Sequence, residues 1–312
     1  MSLMLSVSAV FPIFFYMVAG MVLRRGGKLS DGTMNQVNKI VYTYCFPFVM
    51  FSNIYRTDIG EVLNPGYLLT MMVLVLLVIG VTVLLVPRHT GDRAVQGSMM
   101  QGIIRGNMLL FALPVVSVIS GPEQTGLASL CIATVVPVYN ILCVVILESL
   151  RGANLRPGRL MMSIVRNPLI LGAVLGLLVK LAGIHFPAFI ERVIVEVAGL
   201  VTPVALVMLG GGLRIADTVT YRRELIIVSA TKLLAVPLLF VVAVKLLGFD
   251  RVAITTAMAL GAVPTAVSSF VLAKEMDADG VLAGQIVAVT TVLSMGTVFL
   301  WVFVLSSLGW IG

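Results

Sequence analysis

Long apolar runs alternate with short polar or basic connections along the whole chain. Charge-free runs cover residues 5–23, 66–86, 124–147, 252–273 and 280 onward. A helix needs about 20 apolar residues to cross the ~30 Å of bilayer hydrocarbon, and these runs have about that length. Five further runs, at 39–55, 94–120, 167–187, 193–213 and 225–248, carry one or two ionisable residues each. Backbone N–H and C=O groups find no water in lipid, so spanning segments of this kind fold as helices. The pattern predicts an all-α integral membrane protein of about ten transmembrane helices with short connections.

Composition agrees. Of 312 residues, 59% are hydrophobic and 11% charged, with a mean hydropathy of +1.10; soluble domains carry roughly 25% charged residues. The three cysteines (Cys45, Cys131, Cys143) all lie in apolar runs, which argues against disulfide staples or a metal cluster. The net charge of +7 comes from arginines flanking the spans and reads as membrane orientation, not as a nucleic-acid surface. With ten spans, the connections after odd-numbered spans hold thirteen Lys and Arg residues, from Arg24 to Lys274. The opposite side holds four: Arg56, Arg192, Lys245 and Arg251. The positive-inside rule then puts both termini outside the cytoplasmic membrane. The first run ends in Arg24-Arg25 without a basic leader or a cleavage site, so it reads as a span rather than a signal peptide. No glycine loop precedes a Lys-Ser/Thr pair, which sets aside a built-in ATPase.

The halves resemble each other. Pro12 and Gly20 in the first span match Pro168 and Gly176 in the sixth at an offset of 156 residues, and Pro47 matches Pro203 at the same offset. Gly126-Leu127-Ala128 and Gly280-Val281-Leu282-Ala283 open the fifth and tenth spans alike. Five helices per copy is an odd number, so the second copy enters from the opposite face. The expected organisation is a first repeat at 1–150, a basic cytoplasmic linker at 151–166 and an inverted second repeat at 167–312. Inverted repeats are a hallmark of secondary transporters, which bind substrate at the midplane where the repeats meet.

Two spans read as interrupted. The fourth contains Arg105-Gly106-Asn107 and then Pro114; the ninth contains Gly261-Ala262-Val263-Pro264-Thr265 and then Ser268-Ser269. Proline removes a donor and kinks or breaks a helix. Freed backbone at that depth is tolerated only where protein or a watery cavity satisfies it, and a matched pair of broken helices points to a binding site. Their half-helix N-termini favour an anion.

These residues carry a family resemblance. Arg105-Gly106-Asn107 with Pro114 resembles the fourth-helix motif of the auxin efflux carrier family, and Phe270-Val271-Leu272-Ala273-Lys274-Glu275-Met276 its ninth-helix motif. Asn167-Pro168, Pro203 and Leu209-Gly210 are similar to its sixth and seventh helices. The resemblance covers essentially the whole chain. It implies two inverted five-helix repeats with crossed, broken helices four and nine. It also implies a scaffold of helices 1, 2, 6 and 7, and a mobile transport unit of helices 3–5 and 8–10 that moves as an elevator, commonly in a homodimer. Plant members have a second proline five residues beyond the position of Pro264, where this chain has Ser269. They also have a long cytoplasmic loop where this chain has the short 151–166 linker. The chain therefore looks like a prokaryotic member, and for such members the resemblance implies transport of small carboxylates.

Ionisable and polar groups inside spans are functional candidates. Arg105 offers a counter-charge to a carboxylate or, equally in character, a structural link to a carbonyl or the interface. Asn107 offers both a donor and an acceptor; Pro114 and Pro264 shape the site; Thr265, Ser268 and Ser269 bring hydroxyls from the other half. Asn140 and Gln285 either line the transport unit or bond between helices, and Asn53 could face the site from the scaffold. Lys39, Lys180, Lys232 and Lys245 are expected near helix ends with snorkelling heads, and Glu196 is expected to pair with Arg192. No cofactor or metal is indicated. The expected function is secondary transport of a small organic anion, carboxylate or auxin-like, across the cytoplasmic membrane; the alternatives are a sodium-coupled symporter of similar architecture and a membrane ligand sensor.

Overall fold

The computed structural model describes residues 15–56, 65–151, 166, 168–212 and 220–311, and among these every regular element is helical. The Pro12 landmark, Asn167, all of the 151–166 linker except its two end residues, and the Asn53 side chain lie outside the described residues. Helix α1 covers 15–25. Helix α2 (Asp31–Ile40) passes through a π-type turn (Val41–Cys45) into α3 (Phe46–Tyr55). Then come α4 (Pro65–Leu85), α5 (Arg93–Ile104), α6 (Met108–Ser120) and α7 (Gly126–Leu150). The second half holds α8 (Pro168–Leu181) and α9 (Ala188–Gly212). It continues with α10 (Arg222–Ala230), joined through a π-type turn (Thr231–Ala235) to α11 (Val236–Leu246). It closes with α12 (Arg251–Ala262), α13 (Ser268–Glu275) and α14 (Gly280–Ser307). Among the described residues, five helical stretches are long and apolar enough to cross a membrane: Pro65–Arg88, Gly126–Leu150, Ala188–Gly212, Arg222–Leu246 and Gly280–Ser307. Their outward faces leave large apolar side chains such as Leu84, Phe189, Leu246 and Phe303 exposed, as a lipid-facing surface requires.

Helix starts follow from capping chemistry. Ser30 accepts from the Thr33 N–H, Asp92 from Ala94 and Val95, Asp250 from Ala253, and Asp279 from Leu282. Each side-chain oxygen satisfies donors that a helix N-terminus leaves orphaned. Helices α5 and α12 are matched: both are 12 residues long, both begin at an Asp cap, and both stop in the interior of the protein.

Glycines set the closest packing. A Cβ on Gly20 of α1 would lie 2.0 Å from the Val207 carbonyl oxygen of α9, and one on Gly210 would lie 1.9 Å from that of Met17. A Cβ on Gly176 of α8 would meet the Phe51 carbonyl oxygen at 2.7 Å, and one on Gly172 that of Pro47 at 2.3 Å. Backbones thus touch directly, the way small residues let membrane helices associate. The Gly20–Val207 and Gly176–Phe51 contacts are related by the same 156-residue shift in both partners.

Side-chain hydrogen bonds between segments sort the helices into two groups. In one, the Tyr55 hydroxyl donates to Glu191 (2.7 Å) and accepts from the Phe186 N–H (3.0 Å), and Arg24 donates to Asp31 (2.9 Å), linking the stretch from α1 to α3 with α9. In the other, Tyr67 donates to the Ala253 carbonyl (2.9 Å), Ser98 to that of Asp279 (2.7 Å) and the Trp301 indole to that of Leu233 (2.9 Å). Tyr221 donates to the Asp279 carboxylate and Arg151 to Asp277 (2.8 Å). This second set ties α4, α5, α7, α10–α11, α12–α13 and α14 together. Where the groups meet, Leu209 of α9 faces Gly284 of α14 and Gly212 faces Phe270 of α13, while Lys274 and Glu275 at the end of α13 lie within electrostatic reach of Asp31 and Lys39 of α2. The anticipated Arg192–Glu196 ion pair forms on the exposed start of α9 (2.7 Å).

Candidate functional site

Two helices stop in the protein interior and face each other's loose ends. Between α5 and α6, Arg105 is extended (φ −86°, ψ 112°) and Asn107 caps the next helix (φ −82°, ψ 59°). Between α12 and α13, Val263 is extended (φ −67°, ψ 147°). The two breaks pair as a short antiparallel bridge, Gly106 with Thr265. The Asn107 N–H donates to the Pro264 carbonyl (2.9 Å), and the Ala266 N–H donates to that of Arg105 (3.0 Å). Three further backbone groups are met by hydroxyls. Tyr139 donates to the Gly106 carbonyl (2.9 Å), the Thr265 hydroxyl donates to that of Gly102 (2.7 Å), and the Thr265 N–H donates to Thr290 Oγ1 (3.2 Å). Unwound backbone at this depth needs just such partners. Gly106 is required by contact: its Cβ would stand 2.7 Å from Val263 Cγ2.

Arg105 does not snorkel. It is 2% exposed, and its guanidinium donates to Ser268 Oγ at the start of α13 (2.6 Å) and to Gln101 Oε1 (3.4 Å). The four ion pairs among the described residues leave it without a carboxylate, and its Nε has no hydrogen-bond partner there. Other polar atoms are left open in the same interior: Gln101 Nε2, Ser269 Oγ and Asn140 Oδ1. Asn107 and Ser268 are half-buried where their neighbours Gly106 and Ser269 are sealed, so the crossing opens at these two side chains.

The candidates thus divide. Arg105, Asn107, Pro264, Thr265, Ser268 and Ser269 come together at the crossing. Thr265 has both its hydroxyl and its N–H engaged in holding the crossing, and Pro264 lends its carbonyl to it. Pro114 lies inside the continuous helix α6. The fourth span breaks earlier, at Arg105–Asn107, because there the opposite strand replaces the helix's own hydrogen bonds. Asn140 and Gln285 are buried on α7 and α14.

A sequence profile whose family is described as "Membrane transport protein" matches residues 5–302. The chain belongs to that family. The resemblance to auxin efflux carriers read from the motifs is a resemblance to this same family. Among its relatives is a protein of Rhizobium meliloti (strain 1021) named "Putative malonate transporter", 24% identical over 310 residues, with 93% of this chain and 92% of that protein covered.

For this membrane transport protein the sequence pattern misplaces one interior residue. Lys232, expected at a helix end with its head in the interface, is 1% exposed. The helix carrying it starts at Arg222 and runs on to Leu246, so Lys232 stands about three turns in, beyond the reach of snorkelling. Its Nζ lies 3.0 Å from where a Cβ on Gly106 would stand, which puts the ammonium against the crossing backbone. Lys39 and Lys245, by contrast, are exposed.

Proposed function

We propose that this chain is a secondary carrier of small organic anions of the carboxylate class, working by elevator-type alternating access. The observation that supports it most is the buried guanidinium of Arg105 at the crossing, bonded to Ser268 and lacking a carboxylate among the described residues. Buried charges are paired or hydrogen-bonded in stable proteins, and a substrate carboxylate would complete this one through a charge-assisted bond. Asn107 and Ser268 offer the neutral contacts beside it. The name of the Rhizobium relative gives the reading its first probe, malonate.

The architecture favours the same reading. Two capped twelve-residue half-helices that meet head-on in an antiparallel bridge are what an inverted repeat produces, and the repeated glycine contacts at one offset add to it. We assign α1–α3, α8 and α9 to a scaffold and the remaining helices to the transport unit. Hydrogen bonds within each group, and apolar contacts between them such as Leu209 with Gly284, suit a surface that slides. By the positive-inside rule the basic connections face the cytoplasm in a multi-pass protein of the cytoplasmic membrane, and the family resemblance implies a homodimer through the scaffold.

Counterflow tests this. Liposomes containing the purified protein and loaded with unlabelled malonate will accumulate labelled malonate transiently. Asn107→Ala will raise the malonate concentration for half-maximal exchange about five- to tenfold, the loss of one hydrogen bond. Its folding will be unchanged, because the Asn107 backbone, not its side chain, holds Pro264. Binding of malonate without exchange would instead identify a sensor.

A further inference from the structure

Lys232 and Arg105 are the two buried cations among the described residues. Lys232 borders a small cavity lined also by Tyr139 and otherwise by apolar side chains, among them Val75, Ile79, Val236, Phe240 and Leu260. That space has room for about one water molecule and none for a carboxylate. Of the charged or titratable groups nearby, Tyr139 of α7 borders the space, and the Cys143 thiol of α7 lies within electrostatic reach of both Lys232 and Arg105 at the end of α5. Helices α4 and α14 contain no Asp, Glu, Lys, Arg or His, and α11 and α12 hold only Lys245 and Arg251, at their far ends. The titratable Tyr67 of α4 is engaged with the Ala253 carbonyl near the start of α12. Glu148 of α7 is paired with Arg151, and the α10 charges at 222–224 lie about two to three turns away along the helix.

We propose that Lys232 is the proton-carrying group of this transporter and makes transport obligatorily proton-coupled, one proton entering with each anion. This rests on the carrier reading given above. An ammonium in an apolar chamber without a counter-charge costs several kcal/mol, so when the crossing is empty the amine stands neutral. An anion arriving at Arg105, next to Gly106 in the chain, supplies the missing negative charge. The Nζ lone pair then takes H+ from water and becomes ammonium. When the anion leaves on the opposite face, the N–H bond breaks and the proton returns to water there. Lysine can make this exchange and arginine cannot, since a guanidinium keeps its proton in proteins. The two buried cations thus divide the work: Arg105 holds charge permanently and Lys232 changes it.

The test uses labelled malonate and protein-containing liposomes with the membrane potential clamped to zero, against protein-free liposomes as blank. A gradient of one pH unit, acid outside and in the range where malonate is fully ionised, will drive about tenfold accumulation in the parent protein, the value for one proton per anion. Lys232→Gln will lose that accumulation and keep counterflow, because exchange needs no net proton movement. Lys232→Arg, which retains a buried cation, will behave the same way and stands in if Lys232→Gln does not fold. The proposal is overturned if the parent protein ignores the gradient while exchanging malonate. It is also overturned if either folded variant accumulates malonate as the parent does, or if both folded variants lose exchange. Absence of malonate exchange in the parent would overturn the carrier reading itself, and this inference with it.

Discussion

Arg105→Met will reduce malonate exchange about 10- to 150-fold while leaving the protein at least as heat-stable as the parent. The range is the free energy of one or two charge-assisted hydrogen bonds, roughly 1.5–3 kcal/mol. The stability half of the prediction is the sharper one. A structural strut removed from a membrane interior leaves Ser268 and Gln101 unpaired and lowers the melting temperature. A buried cation awaiting its counter-ion instead burdens the empty protein, and an apolar side chain of similar length relieves it. Malonate will raise the melting temperature of the parent, as a ligand that binds only the folded state does, and will not raise that of the variant. A variant that loses stability and exchange together would return Arg105 to a purely structural role.

Gly210→Val will prevent accumulation of folded protein. The first added carbon would stand 1.9 Å from the Met17 carbonyl oxygen, a distance neither backbone can accept, so α1 and α9 must separate along their length. Overpacking a well-fitted interior costs about 1–3 kcal/mol, and here the obstacle is backbone rather than a movable side chain, so the effect falls at or above the top of that range. Gly20→Val, on the reciprocal side of the same contact, will do likewise. Gly80→Ala and Gly199→Ala serve as controls, since nothing lies within 4 Å of the added carbon at either position; both will be neutral or slightly stabilising because alanine is the better helix former by about 1 kcal/mol. Size-exclusion profiles and melting curves of the solubilised variants read the difference.

Segment placement is largely legible in the sequence because length and apolarity alone decide it. The predicted runs at 66–86 and 124–147 correspond to Pro65–Leu85 and Gly126–Leu150. The ninth span shows where that reasoning stops: 252–273 is one charge-free run, yet it is two helices, with only Pro264 to signal the break. In the fourth span the proline misleads. Pro114 remains inside α6, while Arg105-Gly106-Asn107, with no proline at all, unwinds. What decides the break is a partner strand about 160 residues further along the chain supplying hydrogen bonds, a long-range fact that no local propensity encodes. Lys232 is misplaced for a related reason. Counting from the edge of the apolar run sets it near a helix end, whereas the helix extends further through Arg222, Arg223 and Glu224. The grouping of helices by hydrogen bonds rests on scattered residues such as Tyr55, Tyr67, Ser98 and Trp301, whose partners are invisible until the chain is folded.

The proposed sliding of one helix group past the other is open to a direct measurement. Gly284 and Leu209 face each other across the boundary, where a Cβ on Gly284 would lie 2.8 Å from Leu209 Cδ1. The paired changes Gly284→Cys and Leu209→Cys exchange volume between the two sides and place two thiols at facing positions, where a disulfide can be formed by oxidation. They are made in a protein whose Cys45, Cys131 and Cys143 are replaced by alanine. Oxidation is expected to stop malonate exchange, and a reductant to restore it. Exchange continuing at the uncrosslinked rate, with the disulfide quantitatively formed, would contradict transport by relative movement of the two groups.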